Sequence, residues 1–369
     1  MNKILFIIGI FCLFSCKPTK HPNISISNNH SLEWNMQKIK PAKDIIDSIQ
    51  YIPIKNHPNG LFGDVQKIYF NDNKIVVFDE KKANGVFIFN NNGDFLFRVG
   101  NKGGGPGEYS ILKNIDVNGK YIYLLANAQK KILIFDMDGN FIEEKKLPFH
   151  AHDLAIMNNG DMLFTYHYPN KKENAYRIMI TDSNFKIKEE LYKVNDNDAK
   201  LSSPSYFSNF DNKIAYSAYI LDTISVFSRD SKHIETYSID FKKNKVPARN
   251  KANSQEFLNQ GNYSFLFETH KIITDKYLIG GVFLNHKVEP FILDLSTNDI
   301  YLNDRKQKEG QFFKYFHYPY AKCGNKIVTF INGLFYEKLI SDGFPKIDSL
   351  YEEHLNMPDN YALVLYTLK

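Results

Sequence analysis

The 369-residue chain has little cysteine, one tryptophan and almost no net charge. Its 46 basic and 41 acidic residues give a formal charge of +5, and no block of basic residues concentrates that charge. Nucleic-acid-binding proteins carry a basic patch that meets the phosphate backbone. We therefore expect no nucleic-acid partner. Hydrophobic residues make up 43% and aromatic residues 15% of the chain, which is enough for a large core and excludes general disorder.

Long apolar runs are also missing, since the longest one near the amino terminus covers only residues 4–14. It follows Lys3, and a short apolar run after one positive charge predicts a secretory signal that is too short to span a bilayer. The run contains Cys12, which leaves with the signal.

Of the remaining cysteines, Cys323 has no partner for an internal disulfide and no histidine at a recognisable spacing, so we expect it to be a packing residue.

The tetrapeptide Leu13-Phe14-Ser15-Cys16 resembles a bacterial lipobox, in which the cysteine thiol is lipidated and the chain is cut just before it. Two or three acyl chains hold a protein stably on a membrane. We expect a signal peptide over residues 1–15, a flexible polar tether over 16–43 and one folded domain over 44–369. The lipid on Cys16 would place the domain in the cell envelope, at the outer membrane, with its membrane face undecided. An ordinary signal peptide with a chance cysteine is the alternative.

A repeat of about 46 residues runs through the chain. Residues 86–96 realign onto 132–142 with an offset of 46, and weaker copies follow at 177–185, with an offset of about 44, at 224–231 and at 290–298. Each unit has short β-branched and aromatic runs bounded by turns that contain Asn or Gly. This pattern predicts about four antiparallel strands in each unit.

Four-stranded units of this length are typical of β-propeller blades, each of which buries one sheet face against the next blade. Six blades at this period fill the chain, with the surplus in an insertion between residues 242 and 263, and seven do not fit. The inner strands are expected to begin near Val65, Leu112, His152, Ser205, Tyr263 and Phe313. The predicted fold class is therefore all-β, a six-bladed β-propeller with four-stranded antiparallel blades.

Both chain ends offer strands that could close the ring. Residues 49–54 alternate in polarity and contain a proline, which suits an outer edge strand, and Tyr361–Leu368 reads as a strong strand. We predict that the amino-terminal strand completes the last blade. Two short helices are also predicted, one opening at the capping box of residues 349–352 and one over residues 255–260.

The stretch 98–141 carries a Lys-Gly-Gly-Gly-Pro-Gly-Glu-Tyr loop followed by two apolar strands and an Asp-Gly turn, and it resembles an NHL-type repeat. Together with the lipobox and the Leu-Val-Leu-Tyr sequence near the carboxyl end, the chain resembles the six-bladed β-propeller lipoproteins, a family of largely unassigned function. The resemblance covers nearly all of the mature chain and is sharpest in the first two blades. NHL-like propellers include metal-dependent lyases and hydrolases, so the resemblance keeps an enzymatic alternative open.

In a propeller, the loops that join one blade to the next share a face with the loops between second and third strands. Known propellers most often bind ligands on that face. We therefore predict a ligand site among the corresponding segments, which are residues 98–109, 150–153, 198–206, 245–263 and 303–317.

The glycine-rich loop is the most distinctive of these segments. Its glycines allow sharp turns and close approach, and we expect them mainly to form a tight crossing between blades. The alternative is a binding loop with polar contacts at a pocket mouth and tyrosine faces that suit sugars or peptides. The candidate ligand-binding residues are Arg98, Gly103, Gly104, Gly105, Gly107, Glu108, Tyr109, His152, Tyr206 and Tyr263.

No cofactor is expected from the sequence. The cluster His150-Ala151-His152-Asp153 resembles a metal-binding motif. Its two histidines are two residues apart, so on an extended segment their side chains point the same way. Local spacing fixes no third ligand. His150 and His152 are therefore the candidates only if a divalent metal is bound in the central channel.

The sequence contains no G-x-S-x-G elbow and no H-E-x-x-H pair. We expect a monomeric, membrane-tethered binding module that captures a glycan, a peptide or an envelope protein. The alternative is an NHL-like metal-dependent lyase or hydrolase anchored on His152, and a purely structural scaffold in an envelope complex also stays open.

Overall fold

The computed structural model describes residues 26–166, 176–194, 207–218, 222–230, 234–247, 262–284, 286–303, 316–341, 346, 349–357 and 360–369. These residues form six small antiparallel sheets arranged as the blades of a β-propeller, as the sequence predicts. Within these ranges, no helix has both the length and the apolar character needed to cross a membrane.

Three strands precede the repeat: β1 (Ile26–Glu33), β2 (Ile39–Pro41) and β3 (Ile46–Ile54). Blade one contains β4 (Val65–Asn71), β5 (Lys74–Asp79), β6 (Gly85–Asn90) and β7 (Phe95–Val99). The connection to blade two contains β8 (Asn101–Lys102) and β9 (Glu108–Tyr109), and blade two contains β10 (Asn114–Asn118), β11 (Tyr121–Ala126), β12 (Lys131–Asp136) and β13 (Phe141–Lys146). Blade three contains β14 (Asp153–Ile156), β15 (Met162–Thr165), β16 (Tyr176–Thr181) and β17 (Ile187–Lys193).

Blade four contains β18 (Phe207–Phe210), β19 (Lys213–Tyr216), β20 (Thr223–Ser228) and β21 (Ile234–Asp240). In blade five the inner strand is split into β22 (Phe265–Leu266) and β23 (Ile272–Ile273), both paired with β24 (Tyr277–Leu284), which is followed by β25 (Lys287–Asp294) and β26 (Ile300–Leu302). Blade six contains β27 (Ala321–Cys323), β28 (Lys326–Asn332), the helices α1 (Gly333–Ser341) and α2 (Ser349–Leu355), and β29 (Tyr361–Leu368). Short 3₁₀ turns lie at Met36–Lys38, Ala42–Asp44, Pro58–Gly60, Asn127–Gln129 and Lys242–Asn244.

The predicted helix at residue 349 is confirmed as α2, whereas α1 was not foreseen. The predicted helix over residues 255–260 lies outside the described residues.

The central strands of each blade are buried on both faces, which explains their unbroken apolar sequence. In β5 the side chains of Ile75 and Val77 pack in a cluster with blade six. Their neighbours Val76 and Phe78 point the other way, into a cluster with blade two. The period of two in a strand thus divides one apolar run between two inter-blade cores.

The 46-residue period is maintained by the turn between the third and fourth strands. Asn90, Asp136 and Asp182 are 46 residues apart, and each side chain accepts main-chain N–H groups two and four residues later at 2.8–3.0 Å. Gly139 in the second turn has φ +83°, and Phe185 occupies the equivalent left-handed position of the third with φ +64°. The offset of about 44 expected for blade three is therefore wrong. Blade three keeps the 46-residue period, and Phe185 stands where blades one and two have a glycine.

The ring closes in blade six through the two ends of the chain. Strand β3 pairs antiparallel with β29 along its whole length, from Ile54 opposite Tyr361 to Ile46 opposite Leu368. Pro53 lies in this outermost strand, where a missing N–H is tolerated. The prediction that the amino-terminal strand completes the last blade is confirmed.

The expected flexible tether is wrong for residues 26–43. Strand β1 adds to blade four, parallel to β21, and β2 adds to blade five, parallel to β26. Trp34 lies between them, 3% exposed, with its ring 5.3 Å from the rings of both Phe241 and Phe291. We call residues 26–54 the belt, because they follow the outer edges of three consecutive blades. Residues 26–43, whose polar composition suggested a linker, are thus attached to blades four and five by main-chain pairing and by the buried indole of Trp34.

Candidate functional site

A pocket of about 340 Å³ opens on the axis of the propeller, at the face that carries the turns between first and second strands. We call this face the hairpin face, the opposite one the crossover face, and the cavity the axial pocket. Its lining comes from blades one, two, three, four and six and consists of Ile68, Tyr69, Phe70, Asn71, Val117, Asn118, Gly119, Asn158, Asn209, Phe210, Asp211, Asn212, Arg229, Ala321 and Lys322. The predicted ligand face was the crossover face, so the axial pocket lies at the other end of the channel.

The rim of the axial pocket is a chain of asparagine amides that pass from blade to blade. Asn71 of blade one donates its Nδ2 to the carbonyl of Gly119 in blade two, at 2.6 Å. Asn118 of blade two donates to the main-chain carbonyl of Ile156 in blade three, at 3.3 Å. Asn158 of blade three donates to an asparagine Oδ1 of blade four, at 3.0 Å. Each amide thus ties its own hairpin turn to the next blade while lining the pocket.

An ion pair forms part of the pocket floor. The Arg229 guanidinium of blade four makes two parallel hydrogen bonds to the Asp116 carboxylate of blade two, at 2.8 and 2.9 Å. Its Nη2 also donates to Asn209 Oδ1 at 2.9 Å, and its Nη1 donates to the Ile156 carbonyl. Both charged side chains are nearly fully buried. The Asp116 carboxylate therefore neutralises the positive charge of Arg229 within the protein itself.

Tyr69 completes the floor as a neutral hydroxyl. Its O–H donates to the Ile115 carbonyl at 3.0 Å and accepts the Asn209 amide at 2.9 Å. Burial raises the pKa of Tyr69 well above its ordinary value, and the carboxylates of Asp116 and Asp153 act in the same direction. The phenol stays protonated at neutral pH.

A second buried ion pair closes the channel below this floor. Lys67 of blade one lies 2.8 and 3.1 Å from the two oxygens of Asp153 in blade three, and it also donates to the Ile115 carbonyl at 3.2 Å. The carboxylate accepts the Phe207 N–H of blade four at 2.6 Å. Burial raises the pKa of Asp153 to about 6, although the charge and hydrogen bond of Lys67 act in the opposite direction. The axial pocket is a dead end.

The charged groups at the rim are also paired. Lys322 of blade six contacts both carboxylate oxygens of Asp211 in blade four, at 2.7 Å each. With Arg229 held by Asp116, the two cationic side chains in the lining each have a carboxylate partner. The axial pocket therefore presents amides, a phenol and the half-buried Phe70 in place of net charge.

The glycine-rich loop is folded on itself. The Gly103 N–H donates to the Tyr109 carbonyl at 2.9 Å, and the Gly105 N–H donates to Glu108 Oε2 at 2.8 Å. Gly107 has φ +74°, and a Cβ there would lie 3.0 Å from the Phe141 ring of blade two. Gly104 has open space around it.

Tyr109 is fully buried in the cluster between blades one and two, which removes its ring from any pocket mouth. Arg98 donates to its hydroxyl at 3.3 Å and to the Asn84 carbonyl at 3.0 Å. These contacts build a crossing between blades on the crossover face. A binding role for the glycine-rich loop stays a prediction.

The structure separates the two histidines of the metal-like motif. His150 is exposed, with Nδ1 3.2 Å from Asn127 Oδ1, whereas His152 is buried and its main-chain N–H donates to the Thr165 carbonyl at 2.7 Å. Among the residues that the structure describes, no three His, Cys, Asp or Glu side chains are grouped to hold a metal ion. Tyr263 is half-buried against Val246 and Phe265. Tyr206 and Cys16 lie outside the described residues.

Sequence reasoning missed the asparagines of the axial pocket, although their signal was present. Asn71, Asn118, Asn158 and Asn212 all lie at the first hairpin turn of their units, where they read as ordinary turn residues. Equivalent turns of a closed propeller meet at the axis. A repeated amide at equivalent turns therefore predicts a polar ring, once closure is assumed.

The fold and its cavity define a six-bladed β-propeller with a polar pocket on the axis, in which the cationic side chains are paired with carboxylates. A family model matches residues 25–367, and the chain belongs to that family, described as domain of unknown function DUF4934. No curated protein matches the chain in sequence. The predicted kinship with propellers of unassigned function is confirmed at this level, while the NHL likeness and the lipid anchor stay predictions.

Solved structures resemble the chain in fold. An exported protein of Bacteroides fragilis superposes with a TM-score of 0.74 at 21% identity, covering 93% of this chain and all of its own. A member of the DUF4221 family from Bacteroides vulgatus gives 0.50 at 11%, with 88% and 97% covered. A virginiamycin B lyase from Staphylococcus aureus gives 0.42 at 15%, with 86% and 98% covered. At such low identity the first two structures show a shared fold alone, and the ligand has to be argued from the site.

Proposed function

We propose that this protein is a membrane-tethered binding propeller of the cell envelope, and that its ligand, a glycan or a peptide, binds in the axial pocket. The observation that carries the proposal is a concave, dead-end cavity lined by side chains of five blades, which is the usual form of a small-molecule site. The tether rests on the lipobox-like Leu13-Phe14-Ser15-Cys16.

The location of the site is tested with the chain that lacks residues 1–16, on arrays of neutral glycans and of short peptides. Asn158→Trp narrows the mouth, because Asn158 is exposed at the pocket rim. Asn184→Trp is the matched control, an exposed asparagine in a turn of the same blade that does not line the pocket. Binding should be lost in Asn158→Trp and kept in Asn184→Trp.

A ligand that Asn158→Trp still binds, and that Glu108→Gln no longer binds, would move the site to the glycine-rich loop and contradict the proposal. The tether is tested separately by expressing the whole chain in a Gram-negative host. Cys16→Ser should shift the protein from the membrane fraction to the soluble fraction. An unchanged membrane fraction would remove the lipid anchor from the proposal.

A further inference from the structure

We infer that the axial pocket selects a neutral, hydroxyl-rich ligand of one or two sugar rings and discriminates against its carboxylated counterpart. This inference rests on the proposed function and narrows the ligand class of the same pocket. Three independent properties of the pocket lead to it: its charge pairing, its free hydrogen-bonding atoms and its closed floor.

Charge pairing disfavours an anionic ligand. Arg229 uses both terminal nitrogens on the Asp116 carboxylate, and Lys322 contacts both oxygens of Asp211. A ligand carboxylate or phosphate would be desolvated next to two cations whose charge is already balanced by Asp116 and Asp211. Desolvating an unpaired charge costs far more than burying a neutral hydroxyl that is hydrogen-bonded.

The rim amides favour hydroxyl groups. Within the described part of the chain, no donor reaches the Oδ1 atoms of Asn71, Asn118 and Asn158, although each Nδ2 is engaged with the next blade. An amide oxygen accepts and an amide nitrogen donates, while a sugar hydroxyl does both. Three acceptors spaced around one mouth therefore match a ring that carries several hydroxyl groups. An apolar ligand would leave these oxygens without donors, at a cost.

The closed floor distinguishes a sugar from an extended peptide. Lys67 and Asp153 fill the channel beneath Tyr69, so a chain cannot thread through the propeller. A volume of about 340 Å³ lies at the low end of small-molecule sites, which span about 300–1,000 Å³. Phe70 on the wall supplies an aromatic surface of the kind that packs against the C–H face of a sugar. The pocket thus holds a compact ligand or the terminal unit of a glycan.

The test is a titration by calorimetry of the chain lacking residues 1–16. The panel contains glucose, galactose, mannose, N-acetylglucosamine and their β-linked disaccharides, each up to about 10 mM, with glucuronate and galacturonate beside the parent sugars. At least one neutral sugar should bind, and its uronic acid at least about tenfold more weakly. Asn71→Leu and Asn118→Leu remove amide oxygens at similar volume and should each weaken binding about tenfold or more. Asn184→Leu should leave binding unchanged, and circular dichroism confirms that every variant is folded.

The outcomes separate the inference from the proposed function. Suppose that a uronic acid or a peptide binds as tightly as any neutral sugar and that Asn158→Trp abolishes this binding. This result would overturn the ligand class and leave the location of the site intact. Neutral-sugar binding that survives Asn158→Trp would overturn both. Failure of every neutral sugar in the panel to bind would overturn the inference, while the arrays still decide the site.

Discussion

Individual charged residues at the axis connect blades that are not neighbours in the ring. Arg229 of blade four reaches Asp116 of blade two, and Lys67 of blade one reaches Asp153 of blade three. Removing one partner from a buried ion pair leaves an unpaired charge in a dry site, which costs far more than breaking a pair at the surface. Each axial ion pair therefore links two blades that are not neighbours in the ring.

We expect Arg229→Met to lower the free energy of unfolding by about 3–5 kcal/mol, because Asp116 stays buried without its partner. The control is Lys55→Met, which breaks the exposed Lys55–Asp94 pair and should cost much less, because water already solvates both groups. Urea unfolding followed by circular dichroism measures both. Equal losses would show that the axial pair is solvated in solution.

His270 makes one part of the stability depend on pH. Its Nε2 lies 2.7 Å from the Gln66 carbonyl of blade one, and burial, with smaller contributions from Lys67 and Lys271, lowers the pKa of His270 to about 4. The unfolded chain takes up this proton near pH 6.5, so stability is lost as the pH falls from about 6.5 to about 4. Burial also raises the pKa of Glu268 to about 7, which acts with the opposite sign between about pH 4.5 and 7.

Since these two effects overlap, the prediction concerns a difference between variants. His270→Gln retains an N–H donor for Gln66 and should remove up to about 3 kcal/mol of the destabilisation seen on acidification from pH 7 to pH 4. The exposed His57→Gln is the control for replacing a histidine at the surface. Identical slopes in His270→Gln and the wild type would mean that the ring protonates without cost.

The belt is the element that connects the largest number of blades, and Trp34 is the side chain that fixes it. We expect Trp34→Ala to cost about 3–5 kcal/mol, since it removes a nearly fully buried indole from between two phenylalanine rings. Met36→Ala, in the same segment and 43% exposed, should change stability by less than about 0.5 kcal/mol. Chemical unfolding measured by circular dichroism compares them, and a small loss for Trp34→Ala would show an undocked belt.

The elements that sequence reasoning found are those with local signals. Short β-branched and aromatic runs with Asn and Gly turns predicted the hairpins of blades one and two, and a Pro-containing strand predicted the outer position of β3. Strands β1 and β2 carry no such signal, because they pair in parallel with partners more than 200 residues away and read locally as polar. Pairing between strands so far apart in the sequence cannot be predicted from a local sequence pattern.

The candidate site shows the same division. The glycine-rich loop is prominent because its composition is unusual, yet its Gly103 and Gly105 N–H groups are bonded within the loop itself. The asparagines of the axial pocket are unremarkable one at a time and become a site only because the closed ring brings equivalent turns together. Sequence alone could specify the ring but could not show which end of the channel carries the cavity.

At the scale of the whole molecule, stability depends on the closure of blade six. Deleting residues 1–54 removes the belt and leaves the β29 edge unpaired, so we expect an aggregated product. Deleting residues 1–25 keeps every described strand and should give a monomer with one cooperative unfolding transition. Size-exclusion chromatography and thermal unfolding distinguish them. A soluble, cooperative protein without residues 1–54 would show that closure is dispensable.

The belt also determines when the protein can finish folding. Ile26 pairs with Ile234, and Ile46 pairs with Leu368. At a synthesis rate of about 5–20 residues per second, the strand that pairs with β3 leaves the ribosome roughly 15–65 s after β3 itself. Strand β3 therefore waits for β29, and the ring remains open until β29 has been made. Until then the edge of β3 has no partner strand, and an unpaired strand edge can pair with another chain.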